Sequence, residues 1–172
     1  CEHVLAGHLR EQWVVDAFTE VGMQDVKASP TPDGSAAVHG VLPGPAGAPT
    51  VLLYCHYDVQ PPLGEDAWTV PVFELTERDG RWYGRGSADC KGNIVMHLTA
   101  LRALREANGG FPCGVKLICE GSEEQGTGGL EAFVPDEFRA SPHAAGKRFD
   151  ALLLAHVLEH MPRAEAKSLV AT

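Results

Sequence analysis

The chain has 172 residues, of which 44% are hydrophobic, and it carries a formal net charge of −9. This size and apolar content predict one globular domain with one core, and the negative charge argues against nucleic acid or an anionic membrane as a partner. No apolar run reaches the roughly 18 residues that a transmembrane helix needs. The five cysteines are odd in number and form no C-x-x-C pair. With no export leader at the first residues, they predict free thiols and a cytoplasmic protein.

Apolar periodicity predicts the elements of the first third of the chain. An amphipathic helix ends near Gly22, and the prolines and glycine over 28–34 predict a loop. A strand follows over 36–42. After a turn rich in proline and glycine, the continuous apolar run 50–55 predicts a strand buried on both faces, and His56 comes directly after it.

The rest of the chain alternates in the same way. The sequence Arg78-Asp79-Gly80 lies between two β-prone pieces and predicts a hairpin over 73–83. A helix begins near Asn93 and ends near the glycine pair at 109–110. The apolar run 115–119 predicts another buried strand.

Three further elements follow it. We expect a short helix over 127–133, a strand over 150–155, and a helix over 156–170 that Pro162 interrupts. Alternating helices and apolar strands predict an α/β domain with a mostly parallel sheet. In such sheets, ligands bind at the carboxyl ends of the strands.

Chemically capable side chains lie where the predicted strands end. His56 and Asp58 follow one strand, and in an extended H-x-D segment their side chains point to the same side, so the carboxylate could orient the imidazole. A histidine and an aspartate in a surface turn are the alternative. Glu123 and Glu124 follow the next buried strand, and His156 follows the last one.

Asp89 lies in a glycine-rich segment after the hairpin, where its two carboxylate oxygens could bridge two cations. A position at the start of a helix, where aspartate is common, is the alternative. The adjacent acids Glu123 and Glu124 repel each other unless a cation takes one of them, which leaves the other near a bound water. A helix N-terminus enriched in acids is the alternative here. Together these residues supply the ligands that a divalent metal such as zinc prefers, with one carboxylate left as a base.

Three motifs carry a family resemblance that covers about residues 36–134. They are Val51-Leu-Leu-Tyr-Cys-His56-Tyr-Asp58-Val-Gln-Pro61, Gly84-Arg-Gly-Ser-Ala-Asp89-Cys-Lys-Gly92 and Ile118-Cys-Glu-Gly-Ser-Glu123-Glu124. In order and spacing they resemble the co-catalytic zinc aminoacylase and carboxypeptidase family, and the first is most similar to its carnosinase-type cytosolic dipeptidase branch. The resemblance implies a three-layer αβα catalytic domain with a mixed, mostly parallel central sheet. It also implies hydrolysis of dipeptides or short peptides.

The resemblance implies a role for each site residue. His56 would bind one metal and Asp58 would orient it, while Asp89 would bridge two metals and form a cis peptide bond with Cys90. Glu123 would be the general base that activates a water, and Glu124 would bind the second metal. The expected cofactor is a pair of zinc ions (Zn2+), for which Mn2+ or Co2+ could substitute.

The chain departs from the family in two places. His156 stands where the family has an acidic ligand, and imidazole can also bind zinc. The family's last metal-binding histidine lies beyond a lid domain through which relatives often form homodimers. We therefore expect residues 1–172 to be part of a catalytic domain without its lid, with a divergent tail over 149–172. The oligomeric state stays open.

Two alternatives to an active peptidase follow from the departures and the tail. The first is a truncated or degenerate domain that has no activity and binds at most one metal. The second is a methyltransferase, because the segment 149–162 resembles the strand and loop after the cofactor site of class I methyltransferases. No glycine-rich cofactor loop of that family precedes this segment.

Overall fold

The computed structural model describes residues 11–126, 130 and 151–154, the last four by their backbone. The helices and strands in this part of the chain are α1 (Glu11–Glu20), β1 (Gln24–Pro30), β2 (Ala36–Leu42), β3 (Thr50–His56), β4 (Thr76–Arg78), β5 (Arg81–Tyr83), α2 (Lys91–Asn108), β6 (Gly114–Glu120) and β7 (Ala151–Leu154). Two single 3-10 turns, Glu65–Ala67 and Glu123–Gln125, follow β3 and β6. No helix among the described residues combines the length and apolar content needed to cross a membrane.

Five strands form one mixed sheet in the order β1-β2-β6-β3-β7. The strand β2 pairs antiparallel with both β1 and β6, whereas β3 pairs parallel with both β6 and β7. Because only β2 reverses direction, β1, β3, β6 and β7 all run the same way. The predicted mixed α/β architecture is confirmed.

The main core lies between one face of this sheet and both described helices. From the helices it takes Val14, Phe18, Ile94 and Leu98, and from the sheet Leu53, Cys55, Leu117 and Cys119. The thiols of Cys55 and Cys119 are free and buried, as their apolar strands predict. On the opposite face Leu130 packs with Leu52, Tyr54 and Ile118. The rest of that layer lies outside the described residues.

The strand β1 corrects the predicted loop over 28–34. Residues 28–30 belong to β1, and a turn begins only at Thr31. Among the described strands, β1 lies at the edge of the sheet and pairs only with β2, and its residues are exposed or half-buried. It therefore lacks the apolar pattern that identified the buried strands. Pro30 fits at its end because an edge position does not require every backbone N–H.

Two local predictions hold closely. The hairpin β4–β5 turns at Asp79 and Gly80, whose φ angles of 54° and 72° are both positive, as a two-residue type I′ turn requires. The helix α2 begins two residues before the predicted start and ends at Asn108. The next residue, Gly109, has a φ of 67° and donates its N–H to the carbonyl oxygen of Arg105 at 2.8 Å.

Candidate metal centre

The central strand β6 and its neighbour β3 end side by side. Their last register partners are His56 and Glu120, so the chain leaves both strands at one edge of the sheet. The backbone N–H of Tyr57 donates to the carbonyl oxygen of Glu120 at 2.8 Å, and its hydroxyl donates to the carbonyl oxygen of Ala36 at 2.8 Å. A Cβ on Gly121 would overlap the Tyr57 ring, so glycine is needed there. These contacts fix how the two exit segments, 57–60 after β3 and 121–125 after β6, lie against each other.

The His56 imidazole is the centre of the site, and only 1% of it is exposed. Its Nδ1 lies 3.2 Å from Asp58 Oδ1, and its Nε2 lies 2.9 Å from Asp89 Oδ1 and 3.7 Å from Glu123 Oε2. Burial by itself would lower the pKa of His56, but hydrogen bonds with Asp58 and with the Cys90 thiol outweigh it and raise this pKa to about 11. A cation that binds Nε2 would therefore displace a proton.

Asp58 joins the two exit segments. Besides facing His56, its Oδ1 accepts the backbone N–H of Glu123 at 3.2 Å, and its Oδ2 accepts that of Glu124 at 3.0 Å. These N–H groups begin a 3-10 turn, so the turn itself offers them no acceptor. The Asp58 carboxylate therefore fixes the position of the imidazole relative to the acidic turn, Glu123–Gln125.

Asp89 reaches the site from the N-terminal end of α2, beyond the glycine-rich segment that follows β5. The N-cap residue of α2 is Cys90, and the carboxylate of Asp89 contacts His56 instead of capping the helix. The peptide bond between Asp89 and Cys90 is cis, as the resemblance implies. The Asp89 side chain is 46% exposed, which leaves its carboxylate open to solvent on one side.

Both adjacent acids lie on the short turn after β6, Glu123–Gln125, and each has its own partner. Glu123 Oε2 is 3.7 Å from the His56 ring. Glu124 faces Gln60, whose Nε2 donates to Glu124 Oε2 at 2.9 Å and to the carbonyl oxygen of the same residue at 3.0 Å. The two carboxylates therefore contact different side chains.

His156, the remaining predicted ligand, lies outside the described residues, as does the predicted helix over 156–170, and the predicted helix over 127–133 is described only at Leu130, which is helical. The strand before His156 is described. It is β7, which runs parallel to β3 with Leu154 opposite Tyr54. The carboxyl end of β7 is therefore at the same edge of the sheet as that of β3.

Two residues beside the site were not identified from the sequence, Gln60 and Cys90. Gln60 lies two residues beyond Asp58, at the same alternation that links His56 with Asp58, and this spacing was the available signal. The Cys90 Sγ lies within 4.8 Å of ligand atoms of His56 and Asp89. The only sequence signal for Cys90 is that it directly follows Asp89, a candidate ligand.

A buried polar pair beneath the site, Tyr54 and Glu120, was also missed. The Tyr54 hydroxyl donates to Glu120 Oε1, and among the described residues no group donates to Glu120 Oε2. Burial raises the pKa of Glu120 to about 7, although the hydrogen bond from Tyr54 opposes this. An acid that ends an apolar strand was the sequence signal.

The donor atoms fit a divalent cation. Within the part of the chain that the structure describes, His56, Asp89 and Cys90 form a group whose ligand atoms all lie within 4.8 Å of one another. Imidazole nitrogen, carboxylate oxygen and thiolate sulfur are all zinc ligands. Two ligands on one tetrahedral zinc are roughly 3.3 Å apart, so His56 Nε2 and Asp89 Oδ1, now 2.9 Å apart, need to separate only slightly to accept one.

Known proteins are similar to this chain in sequence and in fold. A cysteinylglycine-S-conjugate dipeptidase from Corynebacterium striatum is 50% identical over 125 residues, which are 73% of this chain and 27% of the relative. A Beta-Ala-His dipeptidase from Rattus norvegicus is 40% identical over 115 residues, 67% of this chain and 23% of the relative. The chain thus spans about a quarter of the length of these relatives.

An M20 family metallo-carboxypeptidase from Sulfolobus solfataricus has a similar structure, with a TM-score of 0.69 and 26% identity over 83% of this chain and 30% of the other. The model of peptidase family M20/M25/M40 matches residues 52–169. This match contains every candidate ligand as well as the segment 149–162 that resembles methyltransferases. The chain belongs to peptidase family M20/M25/M40.

Proposed function

We propose that this chain is part of the catalytic domain of a metal-dependent dipeptidase that hydrolyses the amide bond of dipeptides or short peptides. The observation that carries the proposal is that Asp89 and Glu123 both approach the buried imidazole of His56, at the edge of the sheet where β3 and β6 end. Membership of a peptidase family supports the same chemistry.

In this proposal the site holds two zinc ions, for which Mn2+ or Co2+ could substitute. His56, Asp89, Glu124 and His156 are the ligands, with Asp89 shared between the two ions. Bound cations would polarise the scissile carbonyl and lower the pKa of the attacking water. Asp58 keeps the His56 ring oriented so that Nε2, 2.9 Å from Asp89 Oδ1, faces the cation.

Glu123 is the general base. Its carboxylate accepts a proton from water while the water oxygen adds to the carbonyl carbon, and it then passes the proton to the amine nitrogen as the C–N bond breaks. Its position 3.7 Å from the His56 ring places it beside the ligand pair without an ion pair as close as that of Asp89. A carboxylate that is not itself a metal ligand would remain available to accept protons.

The names of the relatives suggest which substrates to test. One relative is named for a cysteinylglycine S-conjugate and another for Beta-Ala-His. We propose dipeptides of these two kinds, and we propose that residues 1–172 supply metal ligands and base while the lid lies in a part of the protein outside this chain. The cytoplasmic location stays a prediction.

The test combines metal analysis with hydrolysis. The purified protein that carries residues 1–172 together with the proposed lid, loaded with zinc, is expected to bind close to two ions and to hydrolyse a cysteinylglycine S-conjugate or Beta-Ala-His. Glu123→Ala should keep the zinc and lose at least 100-fold in hydrolysis, since general-base catalysis contributes about 10²- to 10⁴-fold. Glu106→Ala, which changes an exposed acid on α2, is the matched control and should match the unmodified chain.

Three outcomes would contradict the proposal. Absence of bound zinc would remove the metal site. Full hydrolysis by Glu123→Ala would remove that residue from the role of base. One tightly bound zinc without hydrolysis of either substrate would instead support the degenerate domain.

A further inference from the structure

Gln60 connects the segment after β3 to the acidic turn after β6. Its side chain is half-buried, and its Nε2 lies 2.9 Å from Glu124 Oε2 and 3.0 Å from the carbonyl oxygen of Glu124. Both partners are oxygen acceptors, so the amide must present its NH2 group here, and the two hydrogens of that group match the two contacts. The orientation of the amide therefore follows from its partners.

Glu124 is consequently held at three points. Asp58 accepts its backbone N–H at 3.0 Å, and Gln60 donates to its backbone carbonyl and to one carboxylate oxygen. Among the described residues no group donates to the other oxygen, Oε1. Gln60 therefore restricts both the backbone and the carboxylate of Glu124.

We infer that Gln60 is a positioning residue that orients the Glu124 carboxylate for metal binding. This inference rests on the proposed function, in which Glu124 is a metal ligand. A glutamate loses rotamer freedom when it binds a cation, and the Gln60 amide has already restricted that freedom. Loss of such a hydrogen-bonding partner typically lowers metal affinity about 10- to 100-fold.

A double-mutant cycle tests whether Gln60 acts through Glu124. Gln60→Met keeps the length of the side chain and removes the donor, and Glu124→Ala removes the carboxylate that it holds. Zinc affinity is measured on the metal-free 172-residue chain and its variants by competition with a chromophoric chelator. Gln24→Met, at an exposed position of β1, is the matched control.

The expected result is a strong coupling between the two positions. Gln60→Met should weaken zinc binding about tenfold or more in the unmodified chain. In the Glu124→Ala background the same change should have an effect of less than about twofold, because the carboxylate on which Gln60 acts is gone. Gln24→Met should change neither affinity.

Other results separate this inference from the proposed function. If the unmodified chain binds zinc and Gln60→Met binds it equally well, the inference fails while the proposed function stands. Equal losses from Gln60→Met with and without Glu124 would show a general structural effect and would also overturn it. If the unmodified chain binds no zinc, both fall.

A measurement on the unmodified chain covers the case in which Gln60→Met does not fold. The side-chain NH2 protons of Gln60 should exchange with solvent more slowly than those of the exposed Gln24, before and after zinc is added, because they remain hydrogen-bonded to Glu124. Exchange as fast as that of Gln24 in the zinc-loaded chain would overturn the inference.

Discussion

Replacing Asp58 with alanine removes the acceptor that joins the imidazole to the acidic turn. Three donors then lose their partner: the Nδ1 of His56 and the backbone N–H groups of Glu123 and Glu124. The Asp58 side chain is only 12% exposed, so water replaces the carboxylate incompletely. The change should therefore weaken both the fold and the metal site.

The hydrogen bonds set the size of the effect. A hydrogen bond to a charged group contributes about 1.5–3 kcal/mol, and because some water can reach the 12% exposed site and bond the donors, the lower end applies to each of the three. Asp58→Ala should lower the free energy of unfolding by about 4 kcal/mol. Asp58→Asn keeps one carbonyl oxygen as an acceptor and should lose about 2 kcal/mol.

Urea unfolding of the metal-free chain, followed by far-UV circular dichroism, measures these losses. Asp66→Ala, at an exposed position of another 3-10 turn, is the control and should stay within about 0.5 kcal/mol of the unmodified chain. NMR titration of the His56 ring adds a local readout. Because the hydrogen bond with Asp58 raises the pKa of His56, Asp58→Asn should lower that pKa from about 11.

The reasoning would be refuted if Asp58→Ala lost no more stability than Asp66→Ala. It would also fail if the pKa of His56 were unchanged in Asp58→Asn. A loss of stability without any change at His56 would assign Asp58 to the acidic turn alone.

Two more predictions concern the support beneath the site. The pKa of Glu120, raised to about 7 by burial, lies above its unfolded value of 4.5, so the stability this carboxyl contributes is full below pH 4.5 and is lost as the pH rises through 7. Glu120→Gln should thus stabilise the metal-free chain by about 3 kcal/mol more at pH 8 than at pH 4.5, and equal effects in urea unfolding at both pH values would contradict this. Gly121→Ala places a methyl group against the Tyr57 ring and should cost about 2 kcal/mol or more, while Gly110→Ala, with open space around it, should cost less than about 1 kcal/mol. Similar unfolding midpoints for the two alanine variants would show that the ring moves freely.

The residue pattern alone is enough to predict the buried strands and the hairpin turn. The apolar run at 50–55 and the strand at 36–42 were identified because burial on both faces, or on one, leaves a pattern in the residues themselves. The hairpin turn at Asp79 and Gly80 was equally predictable, since few residues tolerate two positive φ angles. The family motif with His56 and Asp58 can also be recognised from the sequence, because its residues are adjacent in the chain.

The edge strand β1 and the partners of the site residues depend on contacts between distant parts of the chain. Backbone pairing holds β1, and backbone hydrogen bonds leave no side-chain pattern. His56 meets Asp89 across 33 residues, and Gln60 meets Glu124 across 64. These two contacts follow from the parallel register of β3 with β6 and from the direction in which α2 begins. The spacing of residues in the sequence predicts neither the register nor that direction. The ligand types could therefore be predicted from the sequence, whereas the contacts that orient them required the sheet.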